Sequence, residues 1–374
     1  MPTLGLYLHI PFCRSKCLYC DFCSIPHAAG ERMEAYAAAM ERDLLARAGD
    51  CCDDTVDTVY FGGGTPTCLP PEVLCRILAT VLSCYNVAED AEITTECNPG
   101  TVTPEDLAKL REGGFNRLSM GLQSAQAGEL RALGRLHGFA EFAKTFRAAR
   151  AAGFANLSAD VMFGIPHQTA ESFADTLEKL CDLRPDHVSA YALTVEEGTP
   201  FGRRGAAALN LPDEEAVREM YLGMVEFLGR RGLAQYEISN FARAGYESRH
   251  NLKYWTLGEY LGFGPAAYSD FGGARFGNSR DIDGYLAGRD ITAECERPTA
   301  KTRASERAML GLRLARGLDV ETLGAARCAV LDRYVPAGLA KRMGDRYALT
   351  PAGMLVSNAI LSELVDFSED SSVK

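Results

Sequence analysis

The clearest chemical signal in this chain is three cysteines in the segment Cys13-Arg-Ser-Lys-Cys17-Leu-Tyr-Cys20. Thiolates are the usual ligands of iron–sulfur clusters. A loop bearing three of them can hold three irons of a cubane and leave the fourth iron open to an outside ligand. The competing reading is zinc, which asks for four closed ligands, usually from two separated CxxC pairs. Cys20 and Cys23 share that spacing, so Cys23 could complete a zinc set. Spacing and position after a strand favour a [4Fe–4S] cluster on Cys13, Cys17 and Cys20. The remaining cysteines (Cys51, Cys52, Cys68, Cys75, Cys84, Cys97, Cys181, Cys295 and Cys328) read as core or surface thiols.

Other residues with chemical capacity fall at regular intervals after the cysteines. Phe61-Gly62-Gly63-Gly64-Thr65-Pro66 ends a strand candidate, and its glycines allow a ligand to approach the backbone closely. It is not a Walker loop, because no Gly-Lys-Ser/Thr follows. Taken alone, a tight structural turn explains it equally well. Glu96, Gln123, Arg135 and Asp160 lie at or just beyond later strand candidates. A carboxylate there can accept from ribose hydroxyls or an ammonium, and an arginine can clamp a carboxylate. Singly, such residues are more often surface charges or helix caps; their joint placement at strand ends makes a site.

The elements that would position them alternate in type. Strand candidates are Leu4–Ile10, Thr55–Phe61, Glu92–Cys97, Asn116–Met120, Asn156–Val161 and His187–Ala192. Helical stretches lie between them at Glu31–Ala48, Pro71–Cys84, Pro104–Glu112, Phe139–Ala152 and Ala170–Leu183. Six βα units predict an α/β fold with a parallel sheet, in the form of a partial (β/α)6 TIM-type barrel. A closed eight-stranded barrel and an open doubly wound sheet stay open on pattern alone.

We expect the barrel over residues 1–232, ending in a helix at Pro212–Gly232 whose Met220, Met224 and Phe227 read as core. An aromatic, Gly-rich connection of packed loops and short strands should follow over 233–297. A smaller winged-helix-like α+β unit is expected over 298–374, with helices at Lys301–Arg316, Val320–Ala326 and Pro351–Leu364 around the ribbon MGDRYALT. The tail SEDSSVK reads as polar and frayed.

Bulk properties narrow the class further. The 374 residues carry a formal net charge of −11, which argues against nucleic acid as a partner, since phosphate binding asks for a basic face. No long apolar run is present to span a bilayer, and the first residues do not resemble a secretory leader. An odd count of thirteen cysteines without disulfide-like spacing fits a reducing compartment. The expectation is a cytoplasmic protein, with peripheral membrane attachment left open.

Seven segments together carry a family resemblance: YLHIPFCxxKCxYCDF, FGGGTPT, ExNPGT, SMGLQS, LGRLH, DxMFGIPxQT and YALTxExGTPF. Across nearly the whole chain they resemble the oxygen-independent coproporphyrinogen III oxidases and their relatives in the radical SAM superfamily. That resemblance implies a [4Fe–4S] cluster whose open iron takes the amino and carboxylate groups of S-adenosylmethionine. Carried over residue by residue, it places Tyr7, Gly63, Glu96 and Arg135 against the cluster-bound S-adenosylmethionine. Tyr19, Gly64, Thr65, Gln123, Asp160 and Ala192 would line the adjoining nucleotide space, where the oxidase holds a second such molecule.

Three departures set the chain apart from the oxidase. Only twelve residues precede Cys13, where the oxidase has a substantial arm, and Phe22 stands where the oxidase has a fourth cysteine. Third, His250-Asn251-Leu-Lys-Tyr254-Trp255 and the segment at 260–269 are similar to the HNxxYW and YxGxGPxAYS patterns of the HemW-type heme chaperones in that family. The likeness implies heme as a further cofactor, with His250 as an iron ligand and Tyr254 and Trp255 stacked on the porphyrin. Equally, His250 and Trp255 could be packed parts of an aromatic cluster. His9 could simply pack beneath the cysteine loop, and His27, His137, His167 and His187 have no ligand pattern.

The leading expectation is a heme chaperone that hands heme, or a related tetrapyrrole, to an acceptor protein, a membrane-associated one included. The alternatives are an oxidase-type decarboxylase and another radical SAM enzyme acting on a tetrapyrrole. Whether the chain turns over a substrate at all stays open.

Overall fold

Leu4, Leu6 and Leu8 alternate with Gly5, Tyr7 and His9 along the first strand, and the leucines are fully buried against the helical layer. This period of two, repeated down the chain, sets one face of each strand to the core and the other to the barrel interior. The computed structural model describes residues 3–365, so the tail SEDSSVK lies outside the described residues. Its six parallel strands are β1 (Thr3–Ile10), β2 (Thr55–Gly63), β3 (Val87–Cys97), β4 (Arg117–Gln123), β5 (Asn156–Phe163) and β6 (His187–Ala192), hydrogen-bonded in that order.

The connecting helices are Gly30–Arg47, Pro71–Cys84, Pro104–Glu112, Phe139–Ala151 and Ala170–Cys181. Two of these five helices begin on a side-chain cap. Thr103 and Thr169 both form capping boxes, with Asp106 and Ser172 as reciprocal partners. Val73, Leu74, Ile77, Leu78 and Val81 then give the Pro71–Cys84 helix a buried stripe at helical spacing. The fold is the partial (β/α)6 barrel expected from the alternation, and among the described residues no closed eight-stranded barrel forms.

Both edges of the six-strand unit are covered by chain from beyond residue 232. Strand Asn240–Ala242 pairs antiparallel with β6 and carries Ala234–Glu237 on its outer side. At the opposite edge Tyr260–Phe263 lies parallel to β1, and the antiparallel strands Tyr268–Phe271, Ala274–Asn278 and Thr292–Glu296 follow. The result is one twelve-stranded sheet.

The last segment is a helix at Ala300–Gly311, a three-stranded sheet of Leu318–Asp319, Ala340–Met343 and Arg346–Leu349, and further helices. Three boundaries differ from those read in the sequence. The first helix stops at Gly311 rather than Arg316. The helix starting at Val320 runs on to Tyr334 across a kink at Gly324, whose φ of 75° no helix interior holds. The final helix is two pieces, Pro351–Leu355 and Ser357–Ser362, broken where Val356 leaves helical geometry. Among the described residues no helix is long and apolar enough to cross a membrane.

Candidate cofactor site

The cysteine loop leaves β1 and returns beside itself. Phe12 and Cys13 pair with Ile25 and Pro26, and the Ile25 N–H donates to the Pro11 carbonyl at 2.6 Å. His9 supports the loop from below. Its Nε2 donates to the Cys23 carbonyl at 2.8 Å, which leaves Nδ1 to accept from the Tyr7 hydroxyl at 3.1 Å. Burial holds the His9 ring neutral by lowering its pKa. Cys23 is buried at 8% exposure, whereas Cys13, Cys17 and Cys20 are half-buried.

Two of the three thiols are met by polar groups from segments distant in sequence. Arg135 Nη1 donates to Cys17 Sγ at 3.4 Å, and Thr65 Oγ1 lies 3.7 Å from Cys13 Sγ. Burial pushes the Cys13 and Cys20 thiols up, and each also feels the charge of its neighbours in the motif. A bound iron would supply the positive charge that converts such thiols to thiolates. Among the described residues no three His, Cys, Asp or Glu side chains close on a point suited to a single ion. A cubane makes a different demand, because each thiolate binds its own iron. The donor chemistry of this loop fits that group.

The glycine turn that ends β2 lies against the loop. Gly63 has a φ of +110°, and a Cβ there would come within 2.5 Å of the His9 ring, so only glycine fits. At Gly64 a Cβ would meet the Phe12 carbonyl at 2.7 Å and Cys13 Sγ at 3.1 Å. The exposed backbone is used at once: Gly63 N–H donates to Glu96 Oε2 at 3.2 Å, and Tyr60 OH donates to Oε1 at 2.9 Å.

Glu96, at the end of β3, has its carboxyl pushed up to about 7, chiefly by burial and then by the charge of Asp160. Asp160 on β5 is raised for the same first reason, although Ser119 donates to its Oδ1 at 3.0 Å. Arg135 reaches into the space between these elements and is anchored by Asn98 Oδ1 at 2.6 Å and the Gly121 carbonyl at 3.0 Å. Asn98 Nδ2 in turn donates to Thr65 Oγ1 at 2.7 Å. Gln123 is buried with a φ of 67° at a bulge of β4. Tyr19 is half-buried, its phenol pushed up by burial against the opposing charge of Arg135. Ala192 stands exposed at the end of β6, in register with Phe163.

The HNxxYW residues lie elsewhere. His250 and Tyr254 sit one turn apart on the helix Arg249–Thr256, which packs against β2 toward the amino-terminal end of the strands. His250 is 1% exposed, and its ring stacks on Tyr60 with centroids 5.2 Å apart. Both ring nitrogens are engaged: Nδ1 with Thr58 Oγ1 at 2.9 Å and Nε2 with Tyr254 OH at 2.8 Å. Burial lowers its pKa to about 3. Glu92 Oε1 accepts from the His250 N–H at 3.1 Å, and Lys253 pairs with Asp57 at 2.7 Å. His250 and Tyr254 therefore form a floor beneath the barrel interior, while Trp255 is half-buried on the same helix.

The strands thus bring the cysteine loop, the glycine turn, Glu96, Arg135 and Asp160 to one end of the barrel and leave His250, Tyr254 and Trp255 at the other. Asn98 and Tyr60 escaped notice in the sequence, though both orient residues that did not. Asn98 lay within ExNPGT and could have been taken from that segment. Tyr60 had only its place in a strand. His187 and the other histidines without a ligand pattern include one fully explained by packing: His187 is buried between Ser158 and Tyr236, both at 2.8 Å.

Comparison with known proteins agrees with this architecture. Residues 7–180 match the Radical SAM superfamily. The chain is 36% identical to the heme chaperone HemW of Mycobacterium tuberculosis (strain H37Rv), over 96% of this chain and 94% of that one. It is 33% identical to HemW of Bacillus subtilis, with 95% and 97% covered. Among solved structures, coproporphyrinogen III oxidase (HemN) from Escherichia coli, a radical SAM enzyme, superposes with a TM-score of 0.86 at 24% identity, covering 98% of this chain and 91% of that one.

Proposed function

Because the chain belongs to the HemW family of radical SAM proteins, we propose that it binds heme and passes it to an acceptor protein. The observation that carries the cofactor half of this reading is the convergence of Cys17, Arg135, Asn98, Thr65 and Cys13 through hydrogen bonds at one barrel end. Cys13, Cys17 and Cys20 would hold a [4Fe–4S] cluster, and Tyr7, Gly63, Glu96 and Arg135 the S-adenosylmethionine beside it. When bound, that pair supplies one-electron chemistry at a sulfonium C–S bond.

The protein's own groups do the positioning. Arg135 offers a cation to a carboxylate while its other contacts hold it still. Glu96 offers oxygens to an ammonium or hydroxyl, its orientation set by Tyr60 and Gly63. Tyr19, Gly64, Thr65, Gln123, Asp160 and Ala192 would line the nucleoside space. Gly64 keeps the backbone near Cys13 clear of a side chain.

Heme contact is assigned to His250, Tyr254 and Trp255. Ligation through either nitrogen of His250 requires the ring to release Thr58 or Tyr254, so heme entry must open the floor. The reading places the protein in the cytoplasm, free or peripheral at a membrane where its acceptor resides. The test is to load the cluster anaerobically and offer heme and coproporphyrinogen III separately. Stoichiometric heme uptake and its delivery to an acceptor, with no protoporphyrinogen formed, is the expected result. Sustained decarboxylation with release of 5′-deoxyadenosine would replace the chaperone with an oxidase.

A further inference from the structure

Arg117 is among the largest fully buried side chains, at 2% exposure, and it comes from the same β4 that carries Gln123. Its Nε has no hydrogen-bond partner, and no carboxylate among the described residues comes within ion-pair distance of it. A buried guanidinium without a partner is costly, so its place asks for a reason. The strand register gives one. Arg117 is beside Thr94, while Ser119, two residues on, is beside Glu96, and Gly121 is beside Asp160. By register the Arg117 backbone therefore lies two residues, about 7 Å of strand, below the level of Glu96 and four residues below that of Asp160.

The groups around it are known from every neighbouring element. Its charge acts on Tyr60 of β2, Glu96 of β3, Asp160 of β5, His187 of β6, Tyr236 of the flanking strand and His250 of the floor helix. Arg135 acts on Asp160 from the other side, and Lys253 acts on His250. The only anionic partners in this set are Glu96 and Asp160, which repel each other across the pocket.

We propose that Arg117 is a positioning residue, a buried cation that keeps Glu96 and Asp160 together as carboxylates facing the nucleoside. The inference rests on the S-adenosylmethionine site proposed above. Burial and mutual repulsion both favour protonating one of the two acids, and a protonated acid accepts poorly from an ammonium or a ribose hydroxyl. The Arg117 charge lowers both carboxyls, and a unit charge several ångströms from a buried acid is worth on the order of one pH unit. Removing that charge moves the pH dependence of binding upward. No step of the chemistry passes through Arg117.

The experiment measures S-adenosylmethionine binding to the cluster-loaded full chain by calorimetry from pH 6 to 9. Wild type should bind more tightly as pH rises through the Glu96 range. Arg117→Gln should move that rise up by about one unit, with roughly tenfold weaker binding below it, and Arg117→Lys should restore the wild-type profile. An unshifted Arg117→Gln profile overturns the proposal, as does a lysine variant that behaves like glutamine. If Arg117→Gln loses its cluster absorption or fold, Glu96→Gln decides: it should flatten the pH dependence, and a persisting slope overturns the proposal. Wild type that binds no S-adenosylmethionine at any pH defeats the earlier site assignment instead.

Discussion

His250→Phe isolates what the floor histidine contributes. Phenylalanine keeps an aromatic ring against Tyr60, so the stacking at 5.2 Å has a substitute and little cavity opens. It removes both ring hydrogen bonds, leaving Thr58 Oγ1, which is fully buried, and the Tyr254 hydroxyl without that partner. An orphaned buried hydroxyl costs about 1–3 kcal/mol, and Tyr254, only half-buried, belongs at the lower end. The variant should therefore lose about 2–3 kcal/mol at pH 7.5.

The pH dependence sharpens the test. The folded-state pKa of His250 is lowered to about 3, mainly by burial, while the unfolded chain titrates near the ordinary histidine value of about 6.5. Between those values the unfolded state takes up a proton that the folded state refuses. Wild-type stability thus falls as pH drops through that window, by about 1.4 kcal/mol per unit. Phenylalanine has no such proton. By pH 5 the deficit of the variant should shrink by about 2 kcal/mol, bringing it close to wild type. His9, His137 and His187 are also held neutral, but they are common to both proteins and cancel in the difference. Urea midpoints followed by circular dichroism at pH 7.5 and pH 5 supply the measurement. A deficit that stays constant or widens on acidification would refute the account of His250 as a neutral, doubly bonded floor residue.

Two further predictions concern the cofactor end. Cys17→Ala should abolish the broad iron–sulfur absorption of the reconstituted chain, while Cys23→Ala leaves it, and loss of the absorption in Cys23→Ala would overturn the ligand set. Gly63→Ala forces a side chain to a φ of +110° and into the His9 ring. It should cost at least about 1–2 kcal/mol in stability and weaken S-adenosylmethionine binding, and a variant unchanged in thermal midpoint and affinity would show that the turn relaxes freely.

What could be read in the sequence was local in origin. A strand such as Leu4–Ile10 announces itself by alternation, because its two faces meet different surroundings within a few residues. The glycine turn and Glu96 were legible because backbone access and charge at strand ends are unusual at any single position. The pairing of Tyr260–Phe263 with β1 was not, because nothing in either segment names a partner some 250 residues away. Asn98 stood in a quoted segment, but its role was not legible, since its hydrogen bonds join Thr65 to Arg135 from three separate loops. The His250–Tyr254 contact was within reach: residues four apart on a helix face each other, and a hydrogen bond between them was an available reading.

The same distant pairing bears on how the chain is made. β1 is synthesised before the other strands of its sheet, yet one of its edges waits for Tyr260–Phe263 before its backbone hydrogen bonds are complete. The cysteine loop springs directly from that strand. Iron delivered while the ribosome is still working on the middle of the chain would meet a thiol loop on an unfinished support. Such late closure makes folding slow and exposes an unpaired edge in the interval. Cluster insertion should therefore follow synthesis of Tyr260–Phe263, and fragments ending before residue 260 should be poor iron acceptors even though every thiol of the motif is present.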